Sequence, residues 1–260
     1  MSPARIWGMC LAIAVATVPV RAPRADAALF DQFPGSLWTS NSTDLNRFDG
    51  AGTQGFVRQG ARRIMGSSDW SLTPYLGYSW RFRTLNSLYY NEHGPMAGIE
   101  LSRGFLNLGL QQEWQIFPAQ SASLSYPSAY LTWYKSIDLL GGSGRLFGIP
   151  VLSAPLSSWG RMQHDFNAYE GPATLGFVSQ AVDWFKLPRD TVFRTQMLYS
   201  WRFRAKNNAY YDLSGPAAGV ELVSGPVNLG ASCSWERYPA RGGEATLFRI
   251  YLSSYLDWLL

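Results

Sequence analysis

Apolar and polar residues alternate with a period of two along long segments of the chain. Between residues 106 and 116, the even positions carry leucine, tryptophan and isoleucine with one glutamine, while the odd positions carry asparagine, glycine, glutamine and glutamate. Segments 70–83 and 248–260 alternate in the same way. Because the side chains of a strand point alternately to its two faces, each segment predicts a β-strand with one apolar and one polar face.

The same pattern predicts two groups of five strands, several of which reach the ~9–11 residues that a tilted strand needs to cross a bilayer. Their polar faces are rich in Gly, Ser, Asn and Gln, which suits a wet lumen better than a second packed sheet. A sixth strand at 145–153 and a partner at 29–35 would make twelve, with 154–172 as an external loop; without them ten remain. The two groups are 52–65, 70–84, 95–103, 105–117 and 123–137, then 174–186, 191–204, 216–224, 226–238 and 245–258.

An internal repeat is the strongest signal in the sequence. Ser79-Trp80-Arg81-Phe82-Arg83 recurs at 200–204, an offset of 121 residues. At that offset, residues 36–139 and 157–260 align without a gap and share 37 identities in 104 positions. The period is far longer than the roughly 20–50 residues of solenoid and propeller repeats. The repeat therefore predicts a tandem duplication of half a barrel or of a small domain.

The first 27 residues read as a secretory signal peptide. Arg5 precedes the uncharged and largely apolar stretch 6–20, and Ala25 and Ala27 frame an A-x-A cleavage site. The alternative is a short N-terminal anchor. Cleavage would leave 28–260 as a single barrel with Cys233 as its only cysteine, so no intrachain disulfide is expected.

Composition narrows the class of protein. Charged residues make up only 15% of the chain and aromatic residues another 15%, a combination that argues against disorder. The formal net charge of +4 is too small to predict nucleic acid as a partner. After residue 28, no run approaches the ~18 consecutive apolar residues of a transmembrane helix.

The export signal, the alternating strands and the final strand running to the C-terminus resemble a Gram-negative outer-membrane β-barrel protein. The resemblance implies an all-β fold, an antiparallel transmembrane β-barrel of about 10–12 strands, located in the outer membrane with lipid as a partner. The chain departs from that family at its end, where Leu259 and Leu260 follow Trp258 in place of a terminal aromatic residue. The Tyr-Tyr and Trp-Arg-Phe-Arg segments are also faintly similar to barrels that accompany exopolysaccharide secretion.

Four arginines on the polar faces of equivalent strands are the main candidate site. A hairpin centred near residue 90 predicts that Arg81 or Arg83 lies opposite Glu100, and the repeat places Arg202 or Arg204 near Glu221. These charges predict either ion pairs that stiffen the wall or a charged constriction that selects solutes. Tyrosines of the same, lumenal parity either fill the lumen or stack on sugar rings; they are Tyr75, Tyr130, Tyr134, Tyr251 and Tyr255.

The predicted function is a narrow, porin-like pore or scaffold in envelope transport, for polysaccharide or small anionic solutes. One alternative is a lipid-modifying barrel enzyme that uses His93 beside Glu92 or His164 beside Asp165. Another is a soluble, secreted pair of carbohydrate-binding β-sandwiches with Trp80 and Trp201 buried in their cores. Because no metal-ligand cluster, nucleophile elbow or phosphate loop occurs, we expect no enzyme, metal or cofactor.

Overall fold

A computed structural model describes the chain from residue 29 to its C-terminus with short gaps. The predicted signal peptide, 1–27, lies outside the described residues, as does Tyr89 of the Tyr-Tyr pair. The described residues are 29–46, 48–66, 69–85, 87, 90–167, 169–207, 211–240 and 242–260.

Strands make up most of the described chain, which also has a single 3₁₀ turn at Pro188–Asp190. None of the described residues forms a helix long and apolar enough to span a bilayer. The strands are β1 (Pro34–Asp44), β2 (Ala51–Gly60), β3 (Arg63–Ile64), β4 (Trp70–Arg83), β5 (Glu92–Arg103), β6 (Leu106–Phe117), β7 (Ala122–Asp138), β8 (Gly144–Leu146), β9 (Ile149–Val151), β10 (Pro155–Asp165), β11 (Pro172–Lys186), β12 (Val192–Arg204), β13 (Leu213–Ser224), β14 (Val227–Arg237) and β15 (Glu244–Leu259).

Twelve long strands in the described part of the chain close into one antiparallel barrel. Each pairs with its neighbours in chain order, and β1 pairs with β15 to close the ring, bringing Pro34 opposite Leu259. Strand β2 pairs directly with β4, while β3 covers only the end of β4. The predicted all-β barrel is confirmed. The alternative of two soluble sandwiches is wrong, because both halves of the chain contribute strands to one closed sheet.

The barrel wall is polar inside and apolar outside. On β6, Gln111 and Gln115 are each 5% exposed, whereas Leu108 and Leu110 are each 55% exposed. Strand β15 follows the same rule, with Phe248 among its exposed residues. An exterior of this kind is what lipid covers in membrane barrels, and the predicted facing of both strands is confirmed.

Three of the weaker sequence predictions are wrong. Segment 145–153 forms the small β8–β9 hairpin, which pairs with itself and is not a barrel strand. The predicted loop 154–172 contains barrel strand β10, and the N-terminal strand is 34–44, not 29–35. The outward positions of β1 beyond Leu37 are Thr39, Asn41 and Thr43, so the apolar half of the alternating signal is missing there.

The barrel has two distinct ends. We call one the loop end; it carries the connections 45–50, 84–91, 118–121, 166–171, 205–212 and 238–243. The opposite, terminal end carries the start of β1, the end of β15 and the connections 61–69, 104–105, 139–154, 187–191 and 225–226. If both chain ends face the periplasm, as in bacterial barrels of even strand number, the loop end faces outward.

The repeat of 121 residues has a counterpart in the strands. Strands β1 and β10 have the same bounds when shifted by 121, and so do β5 and β13. The remaining barrel strands of the two halves correspond within a few residues at their ends. Origin by duplication stays a prediction, but equivalent positions in the two halves can be compared side chain by side chain.

Candidate functional site

The lumen at the loop end holds the four predicted arginines. In the first half, Arg81 lies opposite Glu92 in the strand register and forms an ion pair with it at 3.0 Å. Arg83 forms an ion pair with Asp49 from the loop between β1 and β2. The prediction that one of them lies opposite Glu100 is wrong, because β5 begins at Glu92 and the register places Glu100 opposite Thr73.

The second half repeats this arrangement with one change. Arg204 pairs with Glu170 at 2.6 Å, as Arg83 pairs with Asp49. Arg202 lies opposite Leu213, where the first half has a glutamate. Glu221 lies near neither arginine; it faces Arg194, with 3.9 Å between the charged groups.

Tyrosine rings stack on all four arginines. The guanidinium carbons of Arg81 and Arg83 lie 4.4 and 4.0 Å from the centre of the Tyr90 ring. Those of Arg202 and Arg204 lie 4.9 and 4.2 Å from Tyr211. Such cation–π contacts hold the long side chains against the wall. We call these four arginines with Tyr90 and Tyr211 the loop-end cluster.

Two phenols in the loop-end connections remain neutral. Burial raises the pKa of Tyr211, and the charge of the nearby Glu170 raises it further. Burial likewise raises the pKa of Tyr238, which donates a hydrogen bond to Glu236 at 2.6 Å. Neither phenol therefore adds negative charge to the lumen near neutral pH.

A second group of polar residues fills one side of the lumen further from the loop end. Arg58 donates two hydrogen bonds to the carboxylate of Glu100, at 3.1 and 2.9 Å, and the Tyr130 hydroxyl donates a third at 2.9 Å. The Tyr75 hydroxyl lies 3.0 Å from that of Tyr130 and donates to Gln111 at 3.0 Å. This arrangement, which we call the polar cluster, satisfies a buried carboxylate with three charge-assisted or hydroxyl donors.

The second half satisfies Glu221 differently. Its carboxylate accepts hydrogen bonds from Tyr251 at 2.7 Å and Gln196 at 3.0 Å. Arg194 approaches it but is held by Asp183, with 2.6 Å between the charged groups. Glu100 and Glu221 therefore occupy equivalent positions in the two halves, whereas the arginines near them, Arg58 and Arg194, do not.

A cavity of about 1320 Å³ runs beside the polar cluster and receives side chains from both ends of the barrel. Phe48 and Asp49 line it at the loop end, and Asn228 and Tyr255 line it towards the terminal end. Its charged lining is balanced, with six arginines and six carboxylates. These are Arg81, Arg83, Arg194, Arg202, Arg204 and Arg249, with Asp44, Asp49, Glu92, Glu170, Glu221 and Glu236.

The predicted lumenal tyrosines do not share one role. Tyr75 and Tyr130 are 5% and 4% exposed and belong to the polar cluster. Tyr134, Tyr251 and Tyr255 line the cavity. The first pair therefore fills the lumen, and the other three are available to a solute.

The two histidines lie on the outer face of the barrel, away from the acids beside them in sequence. The His93 ring contacts Tyr78 and Phe82, while Glu92 points into the lumen to Arg81. Adjacent residues of a strand face opposite ways.

His164 packs edge-on against Phe166. The carboxylate of its neighbour, Asp165, accepts backbone hydrogen bonds from residues 169–171. The acid–histidine pairs that the enzyme alternative requires are therefore not formed. Among the described residues, no group of three or more His, Cys, Asp or Glu side chains could hold a metal ion.

Sequence reasoning missed Arg58, which proved to be the main partner of Glu100. The predicted strand 52–65 was the least regular of the ten, and the structure ends β2 at Gly60. The repeat offered no signal for it, because the residue equivalent to Arg58 in the second half is Ser179.

Comparisons with known proteins find similar solved structures but no matching family. No protein-family model and no curated protein matches it. Its fold is similar to the beta domain of the Bordetella autotransporter BrkA, with 15% identity, 88% of this chain and 100% of that one covered, and a TM-score of 0.40.

Two further solved structures are similar. An outer membrane channel from Pseudomonas putida F1 has 10% identity and a TM-score of 0.44, covering 92% of this chain and 100% of that one. A bacterial polysaccharide outer membrane secretin has 11% identity and a TM-score of 0.37, covering 90% and 100%.

Proposed function

We propose that this protein is a Gram-negative outer-membrane barrel that acts as a narrow, passive conduit for small polar solutes. The observation that carries the proposal is the cavity lined from the loop end to the terminal end. A lumen lined by paired charges and hydroxyl groups offers hydrogen bonds to a solute that leaves its hydration shell. The apolar exterior supports a location in lipid, with the predicted signal peptide directing export.

The cargo that fits this lining is a saccharide or a small anionic solute. Aromatic side chains line the cavity along its length, including Trp159, Tyr211 and Tyr255. Flat rings offer stacking surfaces to sugar rings, and the arginines offer donors to anions. Because positive and negative groups balance along the wall, we expect weak overall charge selectivity. We expect no nucleic-acid partner and no enzymatic activity.

Single-channel recording in planar lipid bilayers tests the conduit. Ser40 lines the cavity, and its neighbour Thr39 points to the outer face. We expect defined conductance steps from the wild-type protein and smaller steps from Ser40→Trp, because the indole occupies lumen volume. Thr39→Trp is the matched control and should conduct like wild type. A folded barrel that gives no steps, or equal steps in both variants, would contradict the proposal.

A further inference from the structure

Arg202 differs from its equivalent in the first half at the position across the strand. Arg81 lies opposite Glu92, and Arg202 lies opposite Leu213, in the same register. Arg81 forms an ion pair with Glu92 at 3.0 Å. An apolar side chain therefore replaces the carboxylate that neutralises the first arginine.

No other acid takes the place of the missing one. Among the residues that the structure describes, no carboxylate lies within 4.0 Å of the Arg202 guanidinium. Glu170 is held by Arg204 at 2.6 Å. Glu236 is held by Arg249 at 2.9 Å and by the Tyr238 hydroxyl at 2.6 Å. Arg202 is the one arginine of the cavity lining without an ion pair in the described chain.

The guanidinium of Arg202 is nevertheless fixed in place. Its Nε donates to the backbone oxygen of Tyr211 at 2.6 Å, and its central carbon lies over that ring, 4.9 Å from the ring centre. Its two terminal nitrogens make no hydrogen bond within the described residues, and neither is a fully buried, unsatisfied atom. They are therefore exposed to the cavity as a preorganised pair of donors.

We propose that Arg202 is the binding point for an oxyanion, a carboxylate or phosphate group carried by the solute, within the loop-end cluster. A guanidinium donates two parallel N–H groups, which match two oxygens of either anion. Arg83 interacts electrostatically with Arg202, so its positive charge adds to the attraction for an anion there, and the negative charge of Glu236, which also interacts with Arg202, opposes it. The inference rests on the proposed conduit, which gives the solute access, and it assigns the solute's chemical class.

Titration of the whole folded protein in detergent micelles tests this site without requiring conductance. The probes are inorganic phosphate and gluconate, each added at constant ionic strength and followed by calorimetry. We expect saturable binding to wild type and at least about tenfold weaker binding to Arg202→Gln, since the uncharged amide cannot replace the charge-assisted hydrogen bonds of the guanidinium. The probe that binds more tightly identifies the anion class.

Leu213→Glu provides a second variant that retains the arginine. It copies the Arg81–Glu92 arrangement, so the new carboxylate should occupy the donors and abolish binding. Arg237→Gln is the control for loss of one positive charge, because Arg237 lies at the loop end in an exposed ion pair with Glu244. Its affinity should equal that of wild type.

The binding and conductance measurements test the anion site and the conduit independently. Saturable binding that both lumen variants remove supports the site even if the barrel does not conduct, in which case only the conduit fails. Binding that is absent, or unchanged in Arg202→Gln, overturns the site even if conductance is observed.

Discussion

At the scale of single residues, the two halves of the barrel carry buried glutamates at equivalent positions. The arginines that pair with these glutamates lie at positions that are not equivalent. Glu100 forms an ion pair with Arg58 of β2, and the residue equivalent to Arg58 in β11 is Ser179. Glu221 is approached by Arg194 of β12, whose equivalent in β4 is Thr73. A buried carboxylate without a partner is costly, so a cation lost from one strand has to be supplied by another. This compensation is why sequence equivalence alone did not predict the ion pairs.

Removing Arg58 should destabilise the barrel. Glu100 is only 8% exposed, so Arg58→Met leaves a buried carboxylate without its cation, at a cost of about 3 kcal/mol. Urea unfolding in lipid vesicles measures the loss. Adding Glu100→Gln to this variant should recover part of it, because the unpaired charge is then gone.

The control for this pair is Arg237→Met. The ion pair of Arg237 with Glu244 is 72% and 69% exposed, and exposed pairs contribute roughly 0–1 kcal/mol. Equal unfolding midpoints for Arg58→Met and Arg237→Met would contradict the assigned role of the polar cluster.

At the scale of strands, glycine–aromatic pairs help to hold the register. On the inner face, the rings of Tyr75, Tyr130 and Tyr251 cover glycines directly opposite in the neighbouring strand. On the outer face, four tryptophans do the same, which explains why Trp80 is only 6% exposed although it faces outward. The pairs are Tyr75–Gly98, Tyr130–Gly109, Tyr251–Gly230, Trp80–Gly55, Trp133–Gly160, Trp201–Gly176 and Trp258–Gly35.

A side chain added at one of these glycines should displace the ring that covers it. A Cβ atom on Gly109 would overlap the Tyr130 ring, so Gly109→Ala should lower the free energy of unfolding by roughly 1–3 kcal/mol. The control is Gly144→Ala, where the nearest atom lies 3.4 Å from the added Cβ. Circular dichroism during urea unfolding measures both, and a Gly109→Ala midpoint equal to that of the control would refute the pairing.

The sequence predicted strands well where both faces contribute to the signal. Strands β6 and β15 alternate apolar and polar residues, and both lie where they were expected. Strands β1 and β10 were missed because small and polar residues occupy much of their outer face, Gly160 among them. The two copies of the repeat begin at residues 36 and 157, inside β1 and β10. The repeat therefore indicated that these segments correspond, which the alternation of apolar and polar residues did not show.

At the scale of the whole molecule, the barrel combines an apolar exterior with a polar interior that is only partly filled. The polar cluster occupies one side of the lumen, and a cavity of about 1320 Å³ occupies the other. The sequence predicted which charged side chains point into the lumen, because the direction of a side chain depends only on whether its position in the strand is odd or even. The ion-pair partners depend on hairpin register and on which side of the lumen is filled, and neither can be derived from one sequence.

The most direct test of the central claim, a closed barrel that spans the outer membrane, is gel mobility of the outer-membrane fraction with and without boiling. The twelve long strands are hydrogen-bonded all the way round the wall, so the barrel should resist detergent until heated. We predict that the protein is found in that fraction, that the unboiled form migrates faster, and that boiling removes the difference. A protein recovered in the soluble fraction, with equal mobility before and after boiling, would contradict the account.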